Sequence, residues 1–204
     1  MIAVLDYGMG NLRSVQKALE HVGAEVEISY DAERIRAASG LVLPGVGAFP
    51  KAMSAIRERG LDELIRERRS AGVPVLGICL GMQLLFERSV ELGGADGLGL
   101  LPGEVRALDA PGLKIPQIGW NTVAWRQGSP LIDDLPDPTA FYHVHSFAPV
   151  ASKPPGGVVL GTAVYGTEFV TAVQGDGVWG VQFHPEKSGP DGLALLANFV
   201  KLAQ

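Results

Sequence analysis

Apolar positions follow two different rhythms along this chain. Ile2–Asp6, Glu25–Tyr30, Gly40–Leu43 and Val73–Ile78 are short apolar runs of the kind that form buried strands. Between them, about Asn11 to Val22, Ala32–Ala38 and segments within Phe49–Ala71 carry apolar residues at helical spacing. Alternating strands and helices predict a parallel sheet covered by helices on both faces. The second half changes character. Strand-like segments near Val105–Leu108, Asn121–Trp125, Ala140–Phe147, Val158–Val164, Phe169–Gln174 and Gly177–Phe183 follow one another through short turns, which predicts antiparallel additions. An amphipathic helix, roughly Gly192–Leu202, closes the chain, and Lys153-Pro-Pro-Gly-Gly157 reads as a turn rather than a domain boundary. With no repeat, linker or low-complexity segment, the expected organisation is one α/β domain spanning residues 1–204.

Composition narrows the class. At 47% apolar and 19% charged residues the chain is expected to be ordered. A single cysteine excludes a disulfide framework. The start, Met1-Ile-Ala-Val-Leu-Asp6, is a strand pattern without the basic flank or apolar length of a signal, and no stretch approaches a membrane span. A net charge of −5 argues against a nucleic-acid partner. The expectation is a compact cytoplasmic enzyme with no membrane association. Its 27 glycines and 14 prolines imply many tight loops, which suits a site built at strand ends.

The chemistry centres on Gly77-Ile78-Cys79-Leu80-Gly81. A strand-like run leads in, and Gly81-Met-Gln-Leu-Leu-Phe-Glu87 leads out with helical apolar spacing. Glycine, x, nucleophile, x, glycine between strand and helix is the pattern of a nucleophile elbow, in which a sharp turn exposes the middle side chain. Unpaired N–H groups at the helix start beyond it favour a reactive thiolate. A lone cysteine is more often an inert core residue; the flanking glycines, strand and helix reverse that reading.

A thiol nucleophile needs a base, and the base an orienting group. Of His21, His143, His145 and His184, the first sits in a helical stretch and reads as a solvated surface residue. His184 ends the strand-like run Val178–Phe183 and precedes Pro185 and Glu186. Proline biases His184 toward extended backbone, where residues two apart share a face, so the Glu186 carboxylate can fix the imidazole tautomer. The bland alternative is a surface His–Glu pair at a strand end. His143-x-His145 and His184-x-Glu186 also have ligand-like spacing, but zinc sites show tighter clusters, and neither a metal nor another cofactor is expected. Within Phe141–Phe147, strand alternation puts His143 and His145 on one side and Val144 and Ser146 on the other. Gly8-Met-Gly-Asn11 opens a helix after a strand, as a dinucleotide fingerprint does, but Arg13 stands where the third glycine belongs. Leu43-Pro-Gly-Val-Gly-Ala-Phe49 is a second glycine-rich loop after a strand, able to bring backbone N–H groups close to a reacting carbonyl.

Gly77-Ile-Cys-Leu-Gly-Met-Gln83 together with Phe183-His-Pro-Glu186 resembles the class I, triad-type glutamine amidotransferases. Asp6–Leu12, Pro44–Phe49, Lys114–Asn121, Val144–Ser146 and Gln182–Ser188 further resemble the HisH family, the glutaminase subunits of imidazole glycerol phosphate synthase. The likeness runs from the first strand to the last helix. It departs from the family pattern at Gln117, where histidine is common, and at His143, where an aromatic is common. The resemblance implies a flavodoxin-like three-layer α/β sandwich. It implies hydrolysis of L-glutamine to glutamate and ammonia, with ammonia handed to a cyclase subunit, HisF, in a heterodimer serving histidine biosynthesis. By the same resemblance Cys79 is the nucleophile, His184 the base and Glu186 its orienter. Gly47 and Leu80 supply the oxyanion hole, Gln83 and Ser146 hold the substrate, and Asn11, Trp120, Tyr142 and Lys187 ring the passage to the partner. Glutaminase subunits for anthranilate, guanylate or pyridoxal phosphate synthesis, and a non-catalytic nucleotide-binding module, are the competing readings.

Overall fold

The computed structural model describes residues 1–149 and 158–204; the turn read at Lys153–Gly157 lies outside them. Strands β1 (Ile2–Leu5), β2 (Val26–Ser29), β3 (Gly40–Gly45) and β4 (Val75–Cys79) alternate with helices α1 (Leu12–His21), α2 (Ala32–Ala37), α3 (Phe49–Glu58) and α4 (Leu61–Ser70). The helical stretch expected within Phe49–Ala71 is thus two helices, parted where Gly60 takes φ +65°. After β4 come a short helix α5 (Leu80–Leu84) and strands β5 (Phe86–Ser89), β6 (Ala95–Asp96) and β7 (Leu101–Ala107). Then follow β8 (Gln117–Trp125), β9 (Thr139–His145), β10 (Phe147–Pro149), β11 (Val158–Tyr165), β12 (Thr167–Gly175), β13 (Val178–Val181) and α6 (Gly189–Leu202).

Among the described residues, nine strands form one sheet in the order β2-β1-β3-β4-β13-β12-β11-β8-β9. The five from β2 to β13 run parallel, and the remainder are added antiparallel. Side chains leave the parallel strands alternately to two apolar layers, which is why these strands read as continuous apolar runs. Ile2 and Val4 pack with Val15 and Leu19 of α1 and Phe199 of α6. Ala3 and Leu5 pack on the other face with Ile35, Met53 of α3 and Leu64 of α4. The α/β architecture with a largely parallel core and antiparallel additions is the one the residue pattern predicts.

Three segments differ from expectation. The helix expected over Gly81–Glu87 stops after Leu84, and Phe86 begins a strand. Every residue from Leu80 to Phe86 is buried, so apolar spacing there carries no period and cannot separate helix from strand. Val105–Leu108 belongs not to the central sheet but to a second one, ordered β10-β7-β5-β6, in which β7 runs parallel to β5. Ala140–Phe147 is not one strand: β9 pairs with β8 in the large sheet, whereas β10 pairs with β7 in the small one. The chain changes sheets at Ser146, beside the C-terminal ends of β4 and β13.

Candidate active site

β4 ends on Cys79, which takes φ +56° and ψ −114°. That conformation costs a non-glycine residue on the order of 1–3 kcal/mol and persists only where the surroundings enforce it. They do so through two close approaches. A Cβ on Gly81 would overlap the Leu43 carbonyl oxygen, and one on Gly77 would sit 2.7 Å from the Gly81 oxygen. Only glycine fits on either side of the elbow, so the pattern that singled out Cys79 has a steric cause. α5 is five residues long, too short for the dipole argument drawn from a longer helix. Side-chain and carbonyl contacts address the sulfur instead. The Cys79 thiol donates to the Val144 carbonyl at 3.7 Å, and Gln182 Nε2 donates to Sγ at 3.7 Å.

β13 lies next to β4 with Val181 opposite Ile78, so the chain continues from β13 to bring His184 to the same edge. His184 Nδ1 bonds Glu186 Oε1 at 2.9 Å. The carboxylate reaches it through a 3₁₀ turn, Pro185–Lys187, and not along extended chain as expected. The turn is clamped: His184 N–H donates to the Tyr142 carbonyl at 2.9 Å, and the Ser188 hydroxyl donates to the His184 carbonyl at 2.6 Å. Beneath it Phe183 stacks on Phe141 at 3.9 Å between ring centroids. Burial alone pulls the His184 pKa down, but hydrogen bonds to the Cys79 sulfur and to Glu186 outweigh it and raise the group to about 9. The imidazole therefore keeps its proton at neutral pH beside the sulfur. Glu186 Oε2 is buried and lacks a hydrogen-bond partner among the described residues.

In front of this pair opens a cleft of about 290 Å³, lined by Val46, Gly47, Leu80, Gln83, Ser146 and Lys187 among others. Gln83 spends both amide hydrogens, on the Phe147 carbonyl at 2.8 Å and Gln182 Oε1 at 2.9 Å, leaving its oxygen as the free group. Gly47 takes φ +104°, and its N–H makes no hydrogen bond among the described residues. A buried thiol, a protonated histidine held by a carboxylate, and a loop with a free N–H are the parts of acyl transfer through a thioester.

The class I glutamine amidotransferase family matches residues 3–203. The chain is 51% identical over 203 residues to the imidazole glycerol phosphate synthase subunit HisH of Moorella thermoacetica, covering 100% of this chain and 95% of that one. It is 49% identical to the HisH subunit of Herpetosiphon aurantiacus over the same shares. The chain belongs to the class I glutamine amidotransferases. The fold agrees: PurLQS from Thermotoga maritima superposes with a TM-score of 0.79 at 21% identity, over 100% of this chain and 98% of that one. The glutaminase domain of Trypanosoma brucei CTPS gives 0.69 at 18% identity, over 98% and 93%.

This glutamine amidotransferase brings most of the residues singled out in its sequence to one place. Cys79, Leu80, Gly47, Gln83, Ser146, His184 and Lys187 line the cleft, with Glu186 behind His184. Asn11 lies on the far side, in a small hollow shared with Val46, His184 and Glu186. Trp120 and Tyr142 do not line the cleft. They pair across β8 and β9, ring edge to face at 6.2 Å, with Trp120 59% exposed, and Ile118 opposite Val144 continues the same apolar face toward the cleft. His143 is fully buried, bonded to the Phe141 carbonyl and the Thr171 hydroxyl, and His145 is bonded to Phe147 and Gln117. Burial and its histidine neighbour push His143 down to about 3, and burial pushes His145 to about 4. Among the described residues no three metal-ligating side chains cluster, and no helix is long and apolar enough to cross a membrane. Three contacts were not foreseen. Gln182 stands in the quoted Gln182–Ser188 motif, but burial next to Cys79 could not be read from it. The Val144 carbonyl is a backbone group, which leaves no side-chain signal. Glu91 faces the cleft and accepts from the Phe49 N–H at 2.8 Å; it follows β5, a strand absent from the residue pattern.

Proposed function

We propose that this chain is the glutaminase subunit of an imidazole glycerol phosphate synthase, acting as one domain over residues 1–204, and that Cys79, His184 and Glu186 are its triad. The observation that carries the reading is the strained elbow at Cys79 facing a histidine hydrogen-bonded to a carboxylate, in a chain about half identical throughout to HisH subunits. The Cys79 thiolate attacks the carboxamide carbon of glutamine, and the oxyanion is met by the Leu80 N–H and the loop around Gly47. His184 donates its proton to departing ammonia and then takes one from the water that hydrolyses the γ-glutamyl thioester. Glu186 keeps the imidazole in place. Gln83 offers its carbonyl oxygen to the α-ammonium of the substrate, and backbone near Ser146 holds its carboxylate end.

Ammonia lost to solvent is wasted, so the partner docks on the face that carries the cleft. Trp120 and Tyr142 suit the centre of such an interface, with Asn11 and Lys187 hydrogen-bonding at its edge. The partner is a cyclase of the HisF kind, and the site is cytoplasmic. Lone-chain turnover is weak, because one oxyanion donor is worth roughly 10²–10³ in rate and the Val46–Gly47 loop is exposed until a partner covers it. Glutamate release measured with and without the cyclase partner and its ligand tests the whole reading. Stimulation by the partner and loss of about 10³-fold or more in Cys79→Ala are expected. Wild-type activity in Cys79→Ala would sink it. A glutaminase stimulated by the anthranilate or guanylate synthase partner, and not by the cyclase, would reassign the chain to that synthase.

A further inference from the structure

We propose that Tyr7 is a positioning residue for the glutaminase reaction: its hydroxyl holds the first carbonyl of the Pro44–Phe49 loop and so keeps the loop's N–H groups available to the oxyanion. The idea rests on the oxyanion reading above. Tyr7 follows β1 and is 1% exposed. Its hydroxyl donates to the Pro44 carbonyl at 2.8 Å. Gly45 tolerates this approach only because it has no Cβ, which would overlap the Tyr7 oxygen. Burial first, and the nearby Cys79 sulfur second, hold the phenol well above the ordinary tyrosine range, so the group is a donor at every working pH.

Pro44 and Gly45 close β3 against Ile78 and Cys79 of β4, and the loop leaves the sheet directly after them. At its far end the Phe49 N–H is tied to Glu91. Between the two ties the N–H groups of Val46, Gly47 and Ala48 make no hydrogen bond among the described residues. A buried carbonyl without a donor is costly, and it recruits whatever N–H lies within reach. Take away the phenol oxygen, and the Pro44 carbonyl, which the Gly10 backbone also passes closely, is expected to draw in the N–H groups of its own loop. Their capture turns them from the position where the oxyanion forms. Tyr7 thus acts through the loop and touches neither substrate nor sulfur chemistry.

The test uses Tyr7→Phe in the complex with the cyclase partner and its ligand, with Gly47→Ala as companion. Gly47 holds φ +104°, and a Cβ there would lie 2.8 Å from the Met9 methyl, so this variant disturbs the loop directly. For Tyr7→Phe we expect kcat for glutamine to fall about tenfold with KM within about twofold, a fraction of the loss from deleting an oxyanion donor outright. Ammonia-dependent synthesis should be unchanged. Alkylation of Cys79 by iodoacetamide should also be unchanged, because displacement at that carbon forms no oxyanion. Full glutamine turnover in Tyr7→Phe with impaired Gly47→Ala overturns the role of Tyr7 and leaves the oxyanion reading standing. Full turnover in both variants removes the oxyanion reading, and this inference with it. Alkylation slowed as much as turnover places the effect on the nucleophile, and a Tyr7→Phe chain that fails to fold or dock makes the hydroxyl structural. Either result overturns the proposal.

Discussion

The two buried histidines make this fold acid-labile, and His143→Phe measures by how much. Both rings are neutral in the folded chain, with pKa values near 3 for His143 and 4 for His145 against 6.5 for an ordinary histidine. The unfolded chain therefore binds protons below pH 6.5 that the folded chain refuses. Stability from this source is present above pH 6.5 and is lost as pH falls toward 4 and 3. At pH 5 each ring costs about 2 kcal/mol and the pair about 4, a large share of the roughly 5–15 kcal/mol of a typical domain. His184 does not act in this window. Its pKa is raised to about 9, so its contribution is full below 6.5 and fades as pH rises through 9. His143 lies among Phe141, Phe169 and Phe183, so phenylalanine matches its surroundings while deleting the proton site. The Thr171 hydroxyl loses its partner, and stability at pH 7.5 should drop by about 1–3 kcal/mol. Between pH 6.5 and 5, however, the variant should lose about 1 kcal/mol per pH unit less than wild type, the slope steepening toward one full proton's worth at the acid end. Urea unfolding followed by tryptophan fluorescence at pH 7.5, 6.5, 5.5 and 5.0 gives both quantities. An unchanged pH slope would mean that His143 already titrates in the folded state.

Three more outcomes follow from the site. Glutamine turnover in the complex should decline as pH rises through about 9, where His184 loses the proton it gives to ammonia, and Glu186→Gln should move that limb down by about one unit or more; a limb that stays put belongs to another group. Gly81→Ala forces a methyl into the Leu43 carbonyl and should abolish soluble folded protein, whereas Gly128→Ala, which meets no atom within 4 Å, should melt within a few degrees of wild type. Equal melting of the two would show that the elbow relaxes freely. Trp120→Ala should weaken association with the cyclase partner by about 1 kcal/mol or more, with ammonia-dependent synthesis retained; unchanged affinity places the interface elsewhere.

What could be read from the residues, and what could not, divides along a physical line. The parallel half was legible because its inner strands are buried on both faces and its helices on one, so apolar periodicity records geometry. The elbow was legible because two backbone approaches exclude any side chain at Gly77 and Gly81. Where burial is complete on every side, as from Leu80 to Phe86, period disappears, and β5 with its partner β6 went unseen. The break at Ser146 was hidden for a different reason. Both sides of it are strand, and only the choice of sheet changes. Pairing between segments distant in sequence leaves no trace in local pattern. The same limit hid the contact of Gln182 with Cys79 and the reach of Glu91 to Phe49.

The topology explains why the chemistry gathers where it does. From β1 the chain moves outward to β2, then returns past β1 to β3, so the loops after β1 and β3 leave the sheet on opposite sides of a crevice. Open parallel sheets bind ligands at such a reversal, because nothing bridges the carboxyl ends of the two strands. Here the Tyr7 hydroxyl reaches across the crevice to the Pro44 carbonyl. β4 and β13 follow in the sheet, parallel and in register, and deliver Cys79 and His184 side by side. Cys79 is thus fixed at the end of a sheet ladder and His184 by the clamped turn just beyond one, and neither has much freedom to respond to a partner. The loop that faces them leaves β3 untethered by any ladder, with a phenol at one end and a carboxylate at the other. Under the proposed function, control of turnover without movement of Cys79 and His184 therefore falls to that loop.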